Sequence, residues 1–96
     1  MIQSDLETNL EKLPEQVSNA LLEWRVATLD REKLEAILRL QYSVEDRKAT
    51  EVTALVHSNQ ERYDVVLNEA KAESHYTFLY EKLMAAKKEA TMRGAF

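Results

Sequence analysis

Cysteine is absent from the 96-residue chain, and glycine and proline occur once each. Without cysteine there is no disulfide framework, no thiolate metal site and no thiol nucleophile. The two backbone breakers sit near the ends, at Pro14 and Gly94, and the stretch from Glu15 to Arg93 holds neither. Sheet-rich folds and most α/β folds need Gly, Pro or Asn-Gly punctuation every ten residues or so. Loops that cradle phosphates need Gly-rich turns. All of these are disfavoured. Long apolar runs are lacking too: the longest, Leu83-Met84-Ala85-Ala86, falls far short of the roughly 20 residues a bilayer span requires. Met1 to Leu13 is mostly polar and acidic, without the basic-then-apolar pattern of a leader. The expected compartment is the cytoplasm.

What is present is 45% apolar and 31% charged residues with a net charge of −4. That balance is too apolar for a wholly disordered chain. The expected fold class is all-α. A chain of this length buries a modest core only if its helices fold back on one another. A single straight helix from Glu15 to Arg93 would extend about 120 Å and could not cover its own apolar stripe. The sequence therefore predicts a long-helix hairpin or coiled-coil-like bundle whose core is completed by self-association.

Along the chain, Ser4-Asp5-Leu6-Glu7 has the form of a capping box, and Leu6, Leu10 and Leu13 follow as one helical stripe. Pro14 predicts a kink or boundary, which divides the single domain into a short helix over 1–13 and a hairpin region over 14–96. Val17, Leu21, Trp24 and Thr28 continue on one face, with Leu22, Val26 and Leu29 beside it, and Trp24 is expected to be mostly buried. Thr28-Leu29-Asp30 is a soft break. Leu34, Ile37 and Leu38, with Ala36, Leu40 and Val44, form a broad stripe. A reversal fits at 43–46 or at 57–61, each with a Ser-led capping pattern, and a continuous helix through both is equally allowed. From Val52 an 11-residue spacing recurs (Val52–Tyr63–Ser74 and Val56–Leu67–Phe78), which predicts a nearly straight or slightly right-handed pairing. Gly94 is placed as the residue that ends a helix.

Two stripes demand cover that a hairpin cannot supply: Leu34, Ile37, Leu38 and Leu40, and Tyr63, Val66, Leu67 and Ala70. They are the expected self-association residues, and the favoured assembly is a two-fold dimer. A further protein partner is expected, of a kind the sequence does not specify. Charge is uneven: Asp5, Glu7, Glu11, Glu15 and Glu23 stand against Lys12 at the front, and Lys82, Lys87, Lys88 and Arg93 against Glu89 at the back. This suits the helix macrodipole, and it also suits antiparallel pairing of two chains.

No catalytic, cofactor or metal constellation emerges. His57 and His75 would lie about 27 Å apart on one helix. Ala54 and Ala72 stand where the Glu-x-x-His motif of iron bundles needs glutamate. The serines lack a Gly-x-Ser-x-Gly setting, and Glu69 and Glu73 read as solvated. No membrane-surface helix is expected. The leading reading is a non-enzymatic interaction or scaffold protein. The alternative is a nucleic-acid accessory protein, in which Tyr76 and Tyr80 stack bases while Lys82, Lys87, Lys88 and Arg93 track phosphates. The overall acidity weighs against it.

The last third, Asn68-Glu69-Ala70-Lys71-Ala72-Glu73 through Tyr76 and then Tyr80-Glu81-Lys82-Leu83-Met84-Ala85-Ala86-Lys87-Lys88-Glu89-Ala90, resembles small helical proteins encoded by bacteriophages and prophages. Those proteins pair an Ala-, Lys- and Tyr-rich C-terminal helix with a Leu- and Glu-rich front half. The resemblance implies an accessory role in phage biology, such as recombination, packaging or host interference. It includes no catalytic motif and assigns no residue a task.

Overall fold

The computed structural model describes residues 2–94, with side chains from Leu6 onward. Three helices follow one another: α1 over Ile2–Ser43, α2 over Ala49–Ser58 and α3 over Gln60–Met92. No strand occurs among the described residues, and the chain forms a rod of 66 × 19 × 17 Å. The all-α long-helix hairpin is therefore the fold, with α1 and α3 packed side by side and α2 against both at the closed end.

The seam between α1 and α3 follows a strict heptad. On α1 the inward residues are Leu6, Leu10, Leu13, Val17, Ala20, Trp24, Ala27, Arg31, Leu34 and Leu38, all buried or half-buried. On α3 they are Arg62, Val65, Glu69, Ala72, Tyr76, Leu79, Leu83, Ala86 and Ala90. Steps of three and four alternate throughout, which is the 3.5-residue period of a coiled-coil seam. The 11-residue spacing read from Val52 onward does not describe this seam. It bridges the break between α2 and α3, and Tyr63, Ser74, Leu67 and Phe78 all face outward.

Two apolar clusters hold the rod. Leu6, Leu13, Ala20, Leu79, Leu83, Ala86 and Ala90 form the long one, with Leu10, Val17 and Tyr76 packed on it. Leu38, Val52 and Val56 form the other at the closed end, with Leu34 and Tyr42 alongside. Trp24 is half-buried rather than mostly buried, its ring tilted against Tyr76 at a centroid distance of 5.5 Å.

Several expected boundaries fall elsewhere. α1 runs through Pro14 and through Thr28-Leu29-Asp30 without interruption, so the separate helix over 1–13 does not form. Pro14 is exposed while its neighbour Leu13 is only 1% accessible. The ring therefore sits on the water side, where the carbonyl it fails to satisfy can be hydrated, and packing on either side carries the helix across. α1 already includes Ser4, and the Ser4 and Asp5 side chains of the expected capping box lie outside the described residues.

Both expected reversal points are real breaks. The chain leaves α1 at Ser43 and turns at Val44-Glu45-Asp46, with Asp46 at φ 57°, a left-handed conformation that Asp tolerates better than most residues. The second break is the single extended residue Asn59. Its side-chain oxygen accepts a hydrogen bond from the Arg62 backbone N–H at 3.1 Å and its amide donates to the Tyr42 hydroxyl at 3.1 Å. Asn59, not Ser58, is thus the N-cap of α3, and the Ser58 hydroxyl donates back to the Leu55 carbonyl. Gly94 lies just past the last residue of the helix cap at φ +70°, the position and conformation that glycine favours.

Replacing Pro14 by Ala restores one backbone hydrogen bond on an exposed face. The expected gain is about 1–3 kcal/mol, read as a higher thermal midpoint by circular dichroism.

Candidate functional site

Two features of the rod go beyond holding it together: a polar layer inside the seam and a pair of apolar faces outside it. The polar layer interrupts the heptads between the two apolar clusters. Arg31 of α1 donates to Glu69 of α3 at 2.7 Å and to Glu35, one turn along α1, at 2.5 Å. Arg62 of α3 closes the chain onto Glu35 at 3.1 Å. The side chains of these four keep between 17% and 27% of their exposure, so the network is shielded yet reaches water at its edge.

Electrostatics within it are mutually consistent. The hydrogen bond from Arg31 holds the Glu69 carboxyl below the usual carboxylate range, against the opposing effect of burial. At Glu35 burial acts to raise the pKa, and hydrogen bonds from Arg31 and Arg62 overcome it, so the net shift is downward. Glu69 and Glu35 in turn push the Arg31 guanidinium above its ordinary value. Glu69, expected to be solvated, and Arg31, which no apolar stripe singles out, both lie half-buried in the seam. The signal for both was the heptad, in which each occupies a position otherwise held by apolar residues.

The outer faces are the larger surface. On α1, Leu22 and Leu29 are each 62% exposed, Val26 48% and Leu40 69%. At about 100° per residue these side chains lie nearly opposite the seam. On α3, Tyr63, Leu67, Ala70 and Phe78 are exposed on the side turned away from α1. Phe78, a member of the 11-residue spacing, is 62% exposed.

The expected self-association residues are thereby split. Leu38 is spent in the closed-end core and Leu34 packs on it, while Val66 is half-buried. Ile37, Leu40, Tyr63, Leu67 and Ala70 remain exposed.

The expected nucleic-acid set does not converge. Tyr76 lies in the seam between Trp24 and Tyr80, which removes it as a stacking platform. Lys82, Lys87 and Lys88 are exposed but spread around the α3 circumference at about 100° per residue. Arg93 is paired with Glu89 one turn back.

His57 and His75 are both exposed, on different helices. Among the described residues no group of three or more His, Asp or Glu side chains could hold a metal ion. No helix among them is long and apolar enough to cross a membrane.

The class this geometry defines is an antiparallel helical hairpin with a polar layer in its seam and uncovered apolar faces outside. No protein family, curated protein or solved structure matches the chain.

Two measurements test the polar layer. Arg31→Leu leaves Glu69 facing the seam unpaired, while Glu35 keeps Arg62. The expected cost is about 1–3 kcal/mol, and Arg31→Leu with Glu69→Leu together recovers stability to within about 1 kcal/mol of the parent. Because the folded-state pKa values of Glu35 and Glu69 are lowered, their stabilisation is present above the unfolded glutamate pKa of about 4.3 and is lost as pH falls through the folded values. A thermal melt followed below about pH 4 is expected to lose less stability in Glu35→Gln/Glu69→Gln than in the parent.

Proposed function

We propose that this chain is a non-enzymatic helical interaction protein that acts by self-association through the outer faces of its hairpin, in the cytoplasm. The observation that carries the reading is the number of large apolar side chains left over once the seam is filled. Leu6, Leu13, Leu38, Leu79 and Leu83 are buried, yet Leu22, Leu29, Leu40 and Phe78 still stand in water. Large aliphatic side chains repeated along a helix face opposite a core are the pattern of a surface made to be covered. The resemblance of the last third to phage and prophage proteins supports placing this activity in an accessory role there. Enzymatic chemistry draws no support from the arrangement of titratable groups, whose one cluster is consumed in pairing.

Light scattering at micromolar concentration tests the proposal. The expected result is a mass that is a multiple of 11.1 kDa and a melting midpoint that rises with protein concentration. A clean mass of 11.1 kDa with a concentration-independent melt refutes it.

A further inference from the structure

α1 packs on α3 along the seam and on α2 at the closed end, and the one covalent link between α1 and these two helices is the segment 44–48. All five of its residues are exposed, Val44 80% so, and none belongs to either apolar cluster. Its turn is closed by two backbone hydrogen bonds of 3.3 Å, from the Val44 N–H to the Leu40 carbonyl and from the Glu45 N–H to the Tyr42 carbonyl. Its ion pair, Arg47 with Glu45 at 2.5 Å, is internal to it. The link is also strained. Asp46 at φ 57° is the one non-glycine residue at positive φ among the described residues, a conformation that costs an L residue free energy. Lys48 enters α2 without a side-chain cap for the first amides of the helix. With neither Gly nor Pro between Glu15 and Arg93, nothing in the link bars a straighter, helical course.

We infer that 44–48 is a hinge through which two copies exchange arms, α1 of each chain being closed by α2 and α3 of the other. The exchange goes beyond the association proposed above and does not use the outer faces. In the exchanged pair Arg31 of one copy meets Glu69 of the other, Leu13 and Ala20 meet Leu79 and Leu83, and Leu38 meets Val52 and Val56. Every seam contact of the single hairpin therefore recurs, and the two states differ only in the link and in the entropy of joining two chains. Opening the link uncovers no buried side chain of its own and relieves Asp46 in both copies. Short links under strain are where arms exchange.

The polar layer selects the occupant. Arg31 and Glu35 on α1 require a carboxylate and a guanidinium facing them. A second copy brings Glu69 and Arg62 to that level, whereas an unrelated apolar arm would strand the charges.

Charge reversal across the layer decides it. Arg31→Glu alone sets three carboxylates against Arg62, and Glu69→Arg alone sets three guanidinium groups against Glu35, so each variant closed on itself is mismatched. When the two are unfolded and refolded together, exchange gives a two-chain species with one copy of each. One of its layers is the native one, and the other has its charges reversed but balanced. The equimolar mixture is expected to melt above either variant alone, with a mass of twice 11.1 kDa. A mixture that melts as the sum of its parts overturns the exchange. Where a variant fails to fold alone, helicity recovered only in the mixture is the same positive result. Neither substitution touches the outer faces, so association through those faces is equal in the separate variants and in the mixture, and its failure leaves this readout intact. Carried in both chains, Asp46→Gly removes the left-handed penalty and is expected to lower the fraction melting at the higher midpoint. Asp46→Ala adds to that penalty and favours helix, and is expected to raise it. The reverse order, or no difference, overturns 44–48 as the hinge.

Discussion

Arg31 occupies a seam position whose neighbours along α1, Ala27 and Leu34, are apolar, and it reaches across to Glu69 at 2.7 Å while holding Glu35 at 2.5 Å. An antiparallel pair of long helices with a uniform apolar seam can slide by a heptad and bury nearly the same surface. A charged side chain at one seam position removes that freedom, because any slip strands a charge among apolar neighbours. Glu35 and Arg62 extend the same restriction to a second turn on each helix. The two apolar clusters lie on either side of this layer, so their partners are fixed by it: Leu13 and Ala20 with Leu79 and Leu83, Leu38 with Val56. Trp24 against Tyr76, one heptad along from the ion pair, is in step with it.

The helical class and the hairpin were legible from the near-absence of Gly and Pro, because a chain without breakers has few other options. Gly94 was legible as a helix end for the same reason. The reversal was narrowed to two polar clusters, and the chain uses both, since α2 needs a break at each end. The heptad was not read, and the cause is specific. Trp24, Arg31, Arg62 and Glu69 are polar or amphipathic members of the seam, and Ala20, Ala27, Ala72 and Ala86 are too small to stand out from surface alanines. Parts of the seam were read, since Leu6, Leu10, Leu13, Val17 and Trp24 all lie on it. Leu22, Leu29, Leu40 and Phe78 are as large and face outward, so following large apolar side chains does not separate the two sides. Pro14 misled in another way: its intrinsic cost is real, but burial of Leu13 and Leu6 in the seam outweighs it.

The large apolar side chains outside the seam bear on how the chain reaches a stable state. Two helices facing each other bury at most one face each, and here the leucines of the seam alternate with alanines such as Ala20, Ala27, Ala86 and Ala90, which gain little on burial but allow close approach of the backbones. Burying a Leu or Phe side chain contributes about 1.5–3 kcal/mol, so Leu22, Leu29, Leu40 and Phe78 together hold a reserve comparable to the whole stability of a small domain. In a lone hairpin that reserve is unused. Cover on the outer faces would recruit it, while the Arg31 layer fixes the stagger within the hairpin.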